Sequence, residues 1–339
     1  MRRARRHVEK RRGMAASAST EPLGVFFHSN RPLRNGTLGL VGVAGWRPLS
    51  PRDTFARFKR ADGATHPYHF KFGVAQSAKY DWWFDAVREQ HGSGLRPPYV
   101  LTDTDTVFQC TADEMRARFN ALRRAAGGAD LVVGAEHAWF PKRDHKRDPW
   151  PMPALILRHD LLATKYPQHG LRYPNSGAIM ATRAGVQQLS RALAQIDGPD
   201  TPSRYPCCPA WYAGNRSSWC HIDDQHCLQS ALQQPHARVR YVLDANASLF
   251  LNLAGVPSEH LVQRREGGER AAEPRVAGGE GENPVGVARC VYAQTGVAPC
   301  VLHANGKMGK TKMAHALACA GEGAWVPQIS RARHDLKPT

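Results

Sequence analysis

Tyr99-Val-Leu-Thr-Asp-Thr-Asp105, together with the stretch from Thr106 to Glu136, decides how the chain folds. Tyr99 to Thr102 is a short apolar run that stops at acidic residues, the pattern of a buried strand reaching the edge of its sheet. Thr111 then stands where a helix cap belongs. Asp113 and Glu114 fall in the first turn, Met115, Phe119 and Leu122 share one face, and Gly127-Gly128 supplies the stop. Asp130 to Glu136 (Asp-Leu-Val-Val-Gly-Ala-Glu) reads as the next strand. Strand, helix and strand joined by short links are the rhythm of a parallel sheet covered by helices, and functional loops in such sheets lie beyond the carboxyl ends of the strands.

The same reading extends outward. On the amino-terminal side, strands are expected at Leu23–His28 and Leu38–Val43. An amphipathic helix is expected over Ser77–Gln90, with Tyr80, Trp83, Phe84 and Val87 at helical spacing, and Pro97-Pro98 reads as a connector. On the carboxyl side, residues 142–170 are charged and proline-rich and read as a surface excursion. They are followed by a strand at Gly177–Ala181, a helix at Ala184–Ile196, a helix after Asp223-Asp224 and a strand at Arg240–Leu243. The expected division is a disordered basic arm at 1–20, one domain at 21–325 with loop insertions at 201–220 and 264–285, and a tail at 326–339. The 264–285 segment has too little apolar content to be anything but a mobile loop.

The 339 residues suffice for one large α/β domain, and no run approaches the ~18 apolar residues of a membrane span. The formal net charge is +17, of which the first twelve residues supply +6, from six arginines and Lys10 against Glu9. Such a balance suits a phosphate-bearing ligand or an acidic acceptor. The tryptophans Trp82, Trp83, Trp139, Trp211 and Trp219 fall in no nucleic-acid motif, so no specific nucleic-acid partner is expected. Cys207, Cys208, Cys220 and Cys227 crowd a short segment without the C-x-x-C spacing of a zinc site. Together with the sequons at Asn35, Asn215 and Asn246, they lean toward a secretory lumen rather than a reducing compartment.

Four constellations can carry chemistry. Asp103 and Asp105, one residue apart at a strand end, can both reach one hard divalent cation. His303-Ala-Asn305-Gly306 closes a second apolar stretch. Asp223-Asp224 precedes a helix, and Asn175-Ser176-Gly177 forms a turn-like link. Ala304-Asn-Gly-Lys-Met-Gly-Lys-Thr (304–311) nearly spells a phosphate loop. Its first glycine is Ala304 and no βαβ unit comes after it, so an ATPase is not expected.

In this order the segments resemble the glycosyltransferase domain of procollagen lysyl hydroxylases and its relatives. The match rests on Leu-Thr-Asp-Thr-Asp-Thr-Val-Phe (101–108), Ala-Glu-His-Ala-Trp-Phe-Pro (135–141), Tyr-Pro-Asn-Ser-Gly-Ala-Ile-Met (173–180), Asp-Asp-Gln (223–225), residues 243–255 and His-Ala-Asn-Gly (303–306). It spans about residues 23 to 312. The resemblance implies an α/β, GT-A-like (Rossmann-like) domain with a mostly parallel sheet flanked by helices. It also implies a transferase that uses Mn²⁺ or another divalent cation to move galactose or glucose from a UDP-sugar to a hydroxyl, such as hydroxylysine of a collagen-like protein. The alternative is a binding or pseudo-enzyme module without turnover. Asp103, Asp105 and His303 would hold the metal, and Asp223 and Asp224 would be catalytic. Lys79, Asn175, Ser176, Gly177, Asn305, Gly306, Lys307 and Lys310, with the two metal-site aspartates, would meet the donor. The family places two residues, one aromatic, between its metal-site aspartates; here Thr104 stands alone.

Overall fold

A computed structural model describes residues 23–28, 46–49, 79–89, 96–137, 170–196, 224–233, 238–265, 288–321 and 324. The expected strand at Leu38–Val43, the 201–220 insertion, both termini and Asp223 lie outside the described residues.

The fold is α/β. Among the described residues a mixed sheet contains nine strands: β1 (Leu23–His28), β2 (Trp46–Leu49), β3 (Arg96–Asp103), β4 (Thr106–Phe108), β5 (Leu131–Glu136), β6 (Tyr173–Ala181), β7 (Tyr241–Asp244), β8 (Phe250–Asn252) and β11 (Val301–His303). Their order is β2-β1-β3-β6-β5-β8-β11-β4, with β7 also paired to β5. All run the same way except β6 and β4, whose partners lie antiparallel to them. A separate ribbon pairs β9 (Leu261–Arg265) with β10 (Ala288–Tyr292).

The helices are α1 (Lys79–Glu89), α2 (Ala112–Ala125), α3 (Arg183–Ile196), α4 (Asp224–Gln233), α5 (Gly306–Thr311) and α6 (Met313–Ala320). Alternation along the strands explains why helices flank the sheet on both sides. Phe26, Leu101, Val133 and Ile179 pack with Trp83 of α1, Leu189 of α3 and Leu228 of α4. Their neighbours Val25, Phe27, Val100, Val132 and Met180 pack on the other face with Met115 and Phe119 of α2. The α2 boundaries arise from its sequence, because the Thr111 hydroxyl accepts from Glu114 N at 3.2 Å and Gly127 and Gly128 take φ +69° and +90°.

Two local expectations are corrected. Pro97-Pro98 is not a connector but part of β3; the register to β1 slips there, from Leu23↔Arg96 to Gly24↔Tyr99, so the two prolines bulge out of the ladder and no missing N–H is felt. Pro174 to Gly177 is not a turn but the start of β6, which begins four residues earlier than Gly177. The expected mobile loop likewise starts too early, since Arg264 and Arg265 end β9.

The curl of the sheet makes the site. β3 and β4 lie far apart in strand order, yet only Thr104 and Asp105 join them. Three residue steps span at most about 11 Å, so the sheet must fold over until the end of β3 meets β4 and its partner β11. Two disulfides fasten the carboxyl segment that carries β11: Cys110–Cys300 and Cys290–Cys319. Cys227 is disulfide-bonded as well. None of these pairings was legible from spacing, and all suit an oxidising compartment. No helix among the described residues is long and apolar enough to cross a membrane.

Candidate active site

Six strand ends converge on one edge. Asp103 closes β3, Glu136 closes β5, Asn252 closes β8 and His303 closes β11, while reversed β6 brings its own beginning, Asn175-Ser176-Gly177, to the same edge. Asp105 immediately precedes β4, and its carbonyl accepts from Ala304 N at 2.8 Å. Lys79 and Asp224 are the first residues of α1 and α4 and descend onto this edge from above.

Asp103, Asp105 and His303 present ligand atoms that all lie within 4.8 Å of one another. His303 is 2% exposed; its Nε2 lies 3.3 Å from Asp105 Oδ1 and 3.8 Å from Asp103 Oδ2, yet this buried nitrogen has no hydrogen-bond partner among the described residues. Gly177 makes the approach possible. A Cβ there would stand 2.6 Å from His303 Nε2 and 2.7 Å from Asp103 Oδ2, and it would run into Cε1 as well. Two carboxylates with one imidazole form a hard-to-borderline donor set that fits Mn²⁺ and similar divalent ions, and an orphaned ring nitrogen beside both carboxylates is what such an ion would satisfy. The cluster of Cys110, Glu114 and Cys300 has comparable spacing, but its cysteines are bonded to each other and offer no thiolate.

Behind this triad sits Lys79, 1% exposed. Its ammonium contacts Asp103 Oδ1 at 3.3 Å and Ser176 Oγ at 3.4 Å, pairs closely with Asp224, and stands 5.2 Å from the Trp83 ring centre. Burial pushes this amine down, but the charges and hydrogen bonds of Asp103 and Asp224 outweigh it and hold Lys79 above the ordinary lysine value. The Ser176 hydroxyl donates to Asp224 at 2.5 Å, so Lys79, Asp103, Ser176 and Asp224 form one connected unit.

Sequence reasoning missed a second layer. Glu136 Oε2 accepts from Asn175 Nδ2 at 3.1 Å and from Asn305 Nδ2 at 2.8 Å, and Oε1 accepts from Gln225. The amide carbonyl of Asn175 accepts from Gly177 N, and that of Asn305 from Ala254 N. A single acidic residue at the end of the apolar run Leu-Val-Val-Gly-Ala was the available signal for Glu136, as was the lone polar residue between Phe250-Leu251 and Leu253 for Asn252. The structure thus brings together Lys79, Asp103, Asp105, Asn175, Ser176, Gly177, Asp224, His303 and Asn305. Gly306 comes next as the first residue of α5 at φ +65°; Lys307 and Lys310 lie on that short helix, their side chains beyond what is described.

Burial pushes Glu136 up to about 7, against the hydrogen bonds from Gln225, Asn175 and Asn305 and against neighbouring His303. A raised folded value means that the native state keeps a proton the unfolded chain has shed. Its stabilising contribution is therefore full below 4.5, is lost as pH rises, and is gone above about 7. Relative to Glu136→Gln, which cannot titrate, the wild-type unfolding free energy is expected to fall by about 3 kcal/mol across that window. Urea titrations of both proteins at several pH values measure it, and parallel pH profiles would show that Glu136 is ionised throughout.

No protein-family model matches the chain, and no curated protein matches it either.

Proposed function

We propose that the chain is a metal-dependent glycosyltransferase of the GT-A type that uses a UDP-sugar donor. The observation that carries this reading is the meeting of Asp103, Asp105 and His303 at the carboxyl edge of the sheet, about two hundred residues apart in sequence, with a buried lysine behind them. A divalent cation held there would supply charge neutralisation for the diphosphate leaving group. Asp103 at the end of β3, Asp105 in the β3–β4 link and His303 of β11 would hold it. Asp224, anchored by Lys79 and Ser176, stands at the same edge, where it can hold a sugar hydroxyl or take the proton of an attacking one. The mixed α/β sheet agrees with a GT-A domain, the positive charge with an anionic donor, and the disulfides with a lumen where protein hydroxyls are glycosylated. Galactose or glucose is the sugar the sequence resemblance favours, and hydroxylysine of a collagen-like chain is the acceptor.

The test is a screen of UDP-sugars for Mn²⁺-dependent UDP release, with and without hydroxylysine peptides. Asp105→Ala removes a ligand from a link between strands rather than from the core. It is expected to lower UDP release by about 100-fold or more with an unchanged melting temperature. Near wild-type release by the variant overturns the metal assignment, and donor binding without any release by the wild type replaces the transferase with a binding module.

A further inference from the structure

Asn252 is wholly buried at the end of β8, and its side chain is fixed at both ends. Its Nδ2 donates to the Ala135 carbonyl at 2.8 Å, and its Oδ1 lies 2.7 Å from His303 Nδ1. The amide cannot be reversed without setting its oxygen against the Ala135 carbonyl, acceptor against acceptor. An amide oxygen only accepts, so His303 Nδ1 must carry the hydrogen. In the neutral ring, Nε2 is then a bare lone pair, and it is this nitrogen that is buried beside Asp103 and Asp105 without a hydrogen-bond partner among the described residues. The other tautomer would place a hydrogen on Nε2, where a cation would bind, and would set two acceptors, His303 Nδ1 and Asn252 Oδ1, 2.7 Å apart.

We infer that Asn252 is a positioning residue that selects the Nδ1–H tautomer of His303 and so keeps Nε2 open to a divalent cation. The inference rests on the metal reading of the triad. Asparagine is suited to the position because the same side chain must donate to a carbonyl and accept from an imidazole; aspartate does only the second, leucine neither. Gly134 supplies the room, since a Cβ there would stand 3.1 Å from Asn252 Nδ2. The residue on the far side of the imidazole is Gly177, so the ring is oriented by a hydrogen bond at one nitrogen and by the absence of a side chain at the other.

Two measurements on the full chain test this. In the first, free Mn²⁺ is followed by electron paramagnetic resonance during titration of the wild type, Asn252→Leu and Asn252→Asp. Asn252→Leu is expected to weaken Mn²⁺ binding by roughly 10- to 100-fold, and Asn252→Asp, which still accepts from Nδ1–H, to restore most of that loss. A folded Asn252→Leu chain that binds Mn²⁺ as the wild type does overturns the inference. In the second, the metal-free wild type labelled with ¹⁵N-histidine is examined by long-range ¹H–¹⁵N correlation, the His303 signals being identified by their loss in His303→Asn. In the neutral ring, protonated Nδ1 with bare Nε2 is expected, and the opposite tautomer overturns the inference even if no Asn252 variant folds. A wild type that binds no Mn²⁺ overturns the metal reading instead, and leaves the tautomer to be decided by the second measurement.

Discussion

Gly177→Ala is expected to weaken Mn²⁺ binding by roughly 100-fold, the upper end of what the removal of an outer hydrogen bond brings. The added Cβ would stand 2.6 Å from His303 Nε2 and 2.7 Å from Asp103 Oδ2, so it intrudes between two of the three ligand atoms. The backbone cannot retreat. Gly177 N donates to Asn175 Oδ1 at 2.9 Å, Gly177 O accepts from Thr102 Oγ1 at 2.8 Å, and β6 is held between β3 and β5. The imidazole must therefore swing away or the Asp103 carboxylate must turn. Overpacking of this kind costs about 1–3 kcal/mol of stability, which a domain of this size survives. Mn²⁺ titration of the folded variant, checked by urea unfolding, reads both effects. Unchanged Mn²⁺ affinity in a folded Gly177→Ala chain would show that the ion sits elsewhere or that the triad binds none.

That dependence was invisible along the chain, and the reason is physical. β3, α2 and β5 announce themselves through local rules, because an apolar run, a threonine cap and a glycine stop act within a few residues of one another. Asp103 and Asp105 were legible as a pair for the same reason. Their meeting with His303 depends on the curl of the sheet, which no local pattern encodes; only the order of segments resembling a known family pointed to it. Asn175-Ser176-Gly177 carries turn-forming residues because the site needs a short amide, a hydroxyl and a missing side chain there, and pairing on both sides of β6 overrides their propensity. β8 and β11 contain three residues each, too few for any periodicity. Glu136, Gln225 and Asn252 act through partners 39 to 169 residues away, so their roles emerge only when the strands are in register. The Cys110–Cys300 bond, across 190 residues, belongs to the same class.

Lys79→Met is expected to destabilise the metal-free, donor-free protein by about 3–5 kcal/mol. The lysine is 1% exposed and Asp224 is 7% exposed, so removing the ammonium strands a carboxylate where water cannot reach it. Asp103 is more open, with a side chain 27% exposed, and can turn toward solvent; Asp224 is also held by Ser176 and has less freedom. The two residues are therefore coupled: Lys79→Met combined with Asp224→Asn removes both charges, and the double variant is expected to be more stable than the sum of the single losses by about 1–3 kcal/mol. Lys79→Arg keeps the charge but must fit a planar fork beside Trp83, 5.2 Å from the amine, so it is expected to recover only part of the loss. A lysine whose work is confined to a donor phosphate predicts something different, namely unfolding curves without donor that coincide for wild type and Lys79→Met, and a weaker response to UDP alone. Urea unfolding of the wild type and these variants without ligand separates the two roles. Coincident curves would return Lys79 to the phosphate, whereas a large loss that Asp224→Asn partly restores would establish it as the cation that holds Asp103 and Asp224 together before any donor arrives.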